Sequence, residues 1–362
     1  MNPVRGVNPV QQIGAGPRCL RITHVGGVFL TLLSTLAGGC REPVAESWTT
    51  ELEYSIGADT TGADTTLLKP SALGVTDDGT IVIADAGAAQ LRFIDPATHT
   101  IRRTLGAKGQ GPGEFTRPVE LSMAPDGRIA VGDASTRRVT VFAPDGQIVN
   151  EIGPDQGRSW EIAFDTRGRL HLNRRTEAKA TGEPTVSIMA ADGSPAHTYG
   201  NFLLTENPLD RMQQNVVRLA PAPDGGMWVL HNYRAFIERY DATGQLVRRF
   251  PLPLQEGQDT VGPIVAYVDN NPDLISMKRI VVADDLATMG DTLLLVAMLP
   301  RNDSTGFRTR LVAFDTLGAQ RFKLDLPRRA ERLATHDGRV VTLTFDGGDP
   351  ARIDVFKLVR AR

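Results

Sequence analysis

Two aspartates, Asp85 and Asp133, follow the pairs Asp78-Gly79 and Asp126-Gly127 at one common spacing. A carboxylate at such a place either accepts hydrogen bonds from a ligand or caps the turn that follows it. Arg174 and the His231-Asn232-Tyr233 corner fall at comparable places further along the chain. Lys108, Gln110, Glu114 and Arg117 sit in the segment that leads into the second of the two aspartate copies. Charged and amide groups gathered at a concave mouth are the equipment of a binding site.

The same inventory bears on catalysis. A catalytic zinc needs three converging protein ligands. Beyond the leader the histidines are His99, His171, His197, His231 and His336. Only His171 and His231 fall on comparable strands, out of step with each other, so a zinc lyase is not expected. A calcium-dependent lactonase would gather oxygen ligands on one axis. Asn173, Asn232 and Asp133 could serve there, which makes calcium the one ion the pattern allows, although no cofactor is called for. No Gly-x-Ser-x-Gly elbow is present. Gly109-Gln-Gly-Pro-Gly113 lacks the Lys-Ser/Thr of a phosphate loop and reads as a tight connection.

These residues sit on a repeat, and repetition of this length signals a solenoid or propeller. The unit from Pro118 to Gly153 aligns position by position with the one from Pro70 to Gly106. Further copies start near Trp160, Val217 and Arg279, and a sixth starts at Glu331 and runs to the end of the chain. Each copy reads as four short strands rich in Val, Ile, Leu and Phe, separated by Asp-Gly or similar turns. Runs such as Thr80-Ile-Val-Ile-Ala84 are apolar at successive positions, as in a sheet covered on both faces. The last copy lacks its fourth strand, and the segment Thr50–Gly57 offers one. The expected fold is therefore all-β, a six-bladed β-propeller whose N-terminal strand closes the last blade, over residues 50–362. In that order the loop after the second strand and the loop entering the next blade share one face. That face would carry Asp85, Lys108, Glu114, Arg117, Asp133, Arg174, His231, Asn232 and Tyr233.

The stretch Gly109-Gln-Gly-Pro-Gly-Glu-Phe-Thr-Arg-Pro118, continued by APDGRIAVGDASTRRVTVF, resembles an NHL repeat. It is also similar to the six-bladed propeller lipoproteins of bacteria. The resemblance is specific in the second copy, good in the first and weaker onward. It implies a propeller and a role in binding. NHL-type propellers include protein-binding and RNA-binding modules and some enzymes, so the likeness selects no chemistry.

Residues 1–39 read as a lipoprotein signal peptide and 40–49 as anchor and tether. Arg5, Arg18 and Arg21 precede an apolar run from Val25 to Ala37, with no acid among them. Leu36-Ala-Gly-Gly-Cys40 resembles the lipobox cut just before its cysteine, with one extra Gly between Leu36 and Cys40. Cys40 would carry the acyl chains, and stable anchoring takes two or more. The only other cysteine, Cys19, lies in the leader, so the body can form no disulfide. Cleavage would shift the net charge from −2 to −5. With no basic field, nucleic acid is not an expected partner. The expectation is a monomeric, membrane-anchored, extracytoplasmic binding module rather than an enzyme, taking a protein, peptide or glycan of the cell envelope. The alternative is a metal-dependent hydrolase or lyase with its site at the propeller mouth.

Overall fold

Six four-stranded antiparallel sheets account for nearly all the regular structure. The computed structural model describes residues 47–57, 66–153, 161–173, 180–206, 211, 213–253, 281–299, 308–345 and 351–360, and the backbone of the strands Ala266–Val268 and Ile275–Met277. The leader, Cys40 and Arg174 lie outside the described residues.

The inner strands of blades I to VI are Pro70–Val75, Pro118–Met123, Ile162–Phe164, Val217–Pro221, Ala283–Met289 and Arg332–His336. In blades I to V the other three strands follow in chain order, from the axis outward. Each inner strand contacts the inner strands of both neighbours, the first and the sixth included, so the ring is closed. Residues 45–362 form one compact unit.

Closure comes from the front of the chain. Trp48–Gly57 pairs antiparallel with Arg352–Arg360 as the outermost strand of blade VI, from Trp48 opposite Arg360 to Gly57 opposite Arg352. Ile56 is buried in the seam between blades VI and I with Ile353 and Val355. The Trp48 ring stacks on Phe322 of blade V at 5.0 Å, and the Tyr54 ring stacks on His99 of blade I at 4.1 Å. The expected closing strand is therefore present and begins two residues earlier than the pattern suggested.

The apolar runs now have their reason. In the second strand of blade I, Ile81 and Ile83 pack with Val341 and Leu343 of blade VI. Their neighbours Val82 and Ala84 pack with Ile129 and Val131 of blade II. Successive side chains point to opposite faces, and each face meets another blade, so both must be apolar. The hairpins follow from the Asp-Gly turns. Gly127 holds φ at +81°, and the Asp126 carboxylate accepts the Arg128 backbone N–H beyond it. Only glycine takes that backbone region without strain.

Candidate functional site: the axial mouth

The chain enters each blade on the axis, so the starts of the inner strands converge at one end of the ring. The loops after the second strands open at the same end. Pro70 pairs with Asp85, Pro118 with Asp133, and Val217 with His231. His231, rather than Asn232, thus holds the register position of the two aspartates.

Asp85 and Asp133 are buried and committed to the backbone. Asp133 accepts hydrogen bonds from the N–H groups of Thr116, Arg117, Ser135 and Thr136, at 2.7–2.9 Å. Asp85 accepts from Leu68, Lys69, Gly87 and Ala88, and its carboxylate lies 3.0 Å from Arg92 Nε. Each clamps the loop entering its blade to the turn after its second strand. Burial works to raise the Asp133 pKa, but the backbone donors outweigh it and hold the carboxyl below its ordinary value. Asp133→Ala would orphan four donors. It is expected to destabilise the fold by about 3 kcal/mol, with Asp133→Asn losing less, both read by urea denaturation.

The segment before blade II is held in a similar way. Glu114 accepts the Gly111 N–H at 2.8 Å, and Arg138 donates to the carbonyls of Gln110 and Gly111. Lys108 and Arg117 are exposed, and Tyr233 is half-buried. Asn232 ties two blades together: its Nδ2 donates to the carbonyls of Ala283 at 2.8 Å and Asp284 at 3.2 Å.

The axis itself carries a charge network that the sequence reading did not single out. Arg218 Nη1 reaches Glu161 Oε2 at 2.5 Å and Glu120 Oε1 at 3.2 Å, joining blades II, III and IV. Arg218 Nε donates to the Asp284 carbonyl of blade V at 3.3 Å. Arg329 pairs with Glu331 at 2.9 Å and lies 3.7 Å from Asp284. Asp285 is buried and accepts the Leu286 and Leu333 N–H groups at 2.9 and 2.8 Å. Arg332 donates to the Glu331 carbonyl. Glu120, Asp285, Arg218 and Arg332 all fall within the first three positions of their inner strands, and Glu161 and Glu331 immediately precede theirs. In blades I, II and V the register slips by one residue there, and Asp284 is the extra residue in blade V. Such bulges redirect side chains.

Among the described residues, five carboxyl groups share this space with three guanidinium groups, and their proton affinities respond. Burial pushes Glu161 up to about 8; Arg218 pulls against it, and Glu120 and Asp285 add to the rise. Burial likewise pushes Asp284 up to about 6, against the pull of Arg329, and raises Asp285. Arg218 is held charged by Glu161 and Glu120 despite its burial.

A second polar seam runs between blades III and IV. His231 Nε2 lies 3.0 Å from Glu238 Oε2, which also accepts the Tyr240 hydroxyl at 2.8 Å. Arg249 Nε donates to the other Glu238 oxygen at 2.9 Å. Burial alone would raise Glu238, but these donors, His231 first, hold it at about 2. On the facing blade, His171 bridges Asp165 and the Tyr199 hydroxyl at 3.2 and 2.8 Å. Several buried polar atoms near this end make no hydrogen bond: both amide atoms of Asn173, Asn232 Oδ1, His231 Nδ1 and Asp284 Oδ2. Asn173 donates its backbone N–H to the Glu161 carbonyl at 2.9 Å, so the two residues oppose each other across the strand pair.

No family model matches the sequence, and no curated protein matches it. Solved structures do match the fold. Virginiamycin B lyase from Staphylococcus aureus aligns over 86% of this chain and 100% of that one, with TM-score 0.52 and 12% identity. A candidate exported protein from Bacteroides fragilis aligns over 86% and 96%, with TM-score 0.55 and 10% identity. A member of the DUF4221 family from Bacteroides vulgatus aligns over 88% and 100%, with TM-score 0.54 and 10% identity. At these identities the likeness shows the β-propeller fold alone.

Proposed function

We propose that the protein is a lipid-anchored, extracytoplasmic binding module whose ligand engages the axial mouth. The observation that carries this reading is the convergence of Glu120, Glu161, Arg218 and Asp284, from four blades, on one end of a closed ring. The ring is a rigid scaffold, and charged groups are costly to gather on its axis unless they serve recognition. The leader and the Leu36–Cys40 stretch support acylation of Cys40 and export. The fold likeness to a candidate exported protein supports the same location.

The tether also supports an orientation. Trp48 pairs with Arg360 at the end of blade VI opposite the mouth, where Gly57 pairs with Arg352. The seven residues between Cys40 and Trp48 reach at most about 25 Å. An acyl anchor on Cys40 would then leave the mouth facing away from the membrane, open to a protein, peptide or glycan.

The second reading, a hydrolase or lyase at the mouth, has two observations in its favour. Burial pushes Glu161 up to about 8, and His231 is oriented by the ionised Glu238, as acid–base catalysts are. The fold is shared with a protein named as a lyase.

One experiment separates the two readings. The mature chain, immobilised and passed over envelope extract, is expected to retain a partner that the double variant Glu120→Gln/Asp284→Asn releases. Turnover of lactones or glycans by the purified protein, abolished by chelator and by Glu161→Gln, would overturn the binding-module reading.

A further inference from the structure

The carboxyl groups on the axis are not equally satisfied. Glu161 takes a hydrogen bond from Arg218 and another from the Leu219 N–H. Asp285 takes two backbone N–H groups, and Glu331 takes the Phe345 N–H as well as its pairing with Arg329. Among the described residues, Glu120 has only the single Arg218 nitrogen, shared with Glu161, for its two oxygens. The Asp284 carboxylate pairs, among the described residues, only with the distant Arg329, and its Oδ2 accepts no hydrogen bond from them. These two under-donated carboxylates are also the most exposed of the five side chains, at 14% and 15%. Both residues lie beside Arg218, whose Nη1 meets the Glu120 carboxylate and whose Nε meets the Asp284 backbone carbonyl.

The charge count points the same way. Facing the axis are Glu120 from blade II, Glu161 from blade III, Arg218 from blade IV, Asp284 and Asp285 from blade V, and Arg329, Glu331 and Arg332 from blade VI. Blade I contributes only the uncharged Ser71, whose hydroxyl is occupied by the Ala84 and Pro118 carbonyls. Among the described residues, these groups fully ionised would hold two more negative than positive charges. Beside Glu161 the buried Asn173 amide keeps both its polar atoms without a partner among the described residues, an open hydrogen-bonding capacity.

Resting on the binding-module reading, we infer that the axial mouth recognises a positively charged nitrogen of its ligand, a primary ammonium group held between Glu120 and Asp284. An ammonium group brings three N–H donors and one positive charge, matching under-donated oxygens and an axis whose described residues carry more anions than cations. An inner-sphere metal fits less well, because among the described residues no three His, Cys, Asp or Glu side chains converge as metal ligands. Binding is linked to protonation. Near neutral pH the axis offsets part of its negative surplus by keeping Glu161 protonated. An arriving cation takes over that role, and the Glu161 proton leaves to the buffer. Cation affinity therefore rises with pH up to about 8 and then levels.

The test uses the mature protein and three probes: Nα-acetyl-lysinamide, its uncharged analogue Nα-acetyl-norleucinamide, and calcium chloride. Titration calorimetry at pH 6.0 and 8.5 is expected to show the lysine probe binding roughly tenfold more tightly at the higher pH. At pH 7, two buffers of different ionisation enthalpy should report proton release, and Glu161→Gln should abolish it. Glu120→Gln and Asp284→Asn should each weaken binding at least about fivefold with far-UV circular dichroism unchanged. Equal binding of the norleucine probe, binding of calcium but not the lysine probe, or no binding of any probe up to about 50 mM would overturn the inference. If an envelope partner is retained through the mouth but is not competed by the lysine probe, the inference fails and the binding-module reading stands. If no partner is retained, the module reading itself fails.

Discussion

A mature chain shortened to start at residue 58, without Trp48–Gly57, is expected to lose the closed ring. The lost strand is the only outer neighbour of Arg352–Arg360. Its removal exposes a nine-residue unpaired edge, and open edges of this kind recruit other chains. It also uncovers Ile353 and Val355 in the seam with blade I and withdraws the Trp48 ring from Phe322 of blade V. Burial of apolar area at ~25 cal/mol per Å² puts the loss on the order of 5 kcal/mol or more. The expected result is a Tm lower by more than about 10 °C, with aggregation on heating. A synthetic peptide of residues 47–57 should restore part of the loss in trans. A truncated protein that keeps its Tm and remains monomeric would show that blade VI is complete without this strand.

Arg218→Ala is expected to be the most costly single substitution on the axis. Arg218 is the common partner of Glu161 and Glu120. Removing one member of a buried pair leaves its partners uncompensated, at a cost of about 3–5 kcal/mol. The pH dependence identifies the cause. The folded protein raises Glu161 from its ordinary value near 4.5 to about 8. A raised folded value means that the stability is complete below the ordinary value and declines as pH rises toward 8. Without Arg218 the Glu161 carboxyl rises further, so the decline extends to higher pH and the variant suffers most in alkaline buffer. Glu161→Gln, which cannot ionise, should flatten that slope in both backgrounds. The pair Arg218→Met/Glu161→Leu should recover much of the loss, since an apolar replacement removes the desolvation cost of both charges. Urea denaturation at pH 5, 7 and 9 measures all of this. An Arg218→Ala loss that is the same at each pH would mean that the arginine acts through packing alone.

The ring, the blade count and the closing strand were legible because each rests on local chemistry repeated six times. Asp-Gly turns mark the hairpins, and apolar residues at successive positions mark sheets covered on both faces. The shared face for the site was legible from strand order. The charged residues of the axial network were not. Asp85 and Asp133 stand out in the sequence because they recur, and they recur because they clamp a recurring loop. The network residues do not recur: the corresponding places hold Ala72, Glu120, Glu161, Arg218, Asp285 and Arg332. A ligand-binding axis needs different groups from different blades, so alignment of the copies hides it. The one available signal was a charge breaking the start of otherwise apolar first strands, as in Val217-Arg-Leu-Ala220 and Ala283-Asp-Asp-Leu286. Pairing across blades could not be read at all, because Glu120 and Arg218 are far apart in the chain and meet only once the ring closes.

Hydrogen exchange of the mature protein, free and bound to the partner captured from envelope extract, tests the location of the site most directly. Protection should concentrate where the inner strands begin, at residues 118–121, 161–163, 217–219 and 283–286. The hairpin turns at the opposite end, Asp78-Gly79 and Asp126-Gly127 among them, should exchange as before. Protection confined to those turns or to the outer strands, with the inner strand starts unchanged, would contradict an axial mouth as the place of binding.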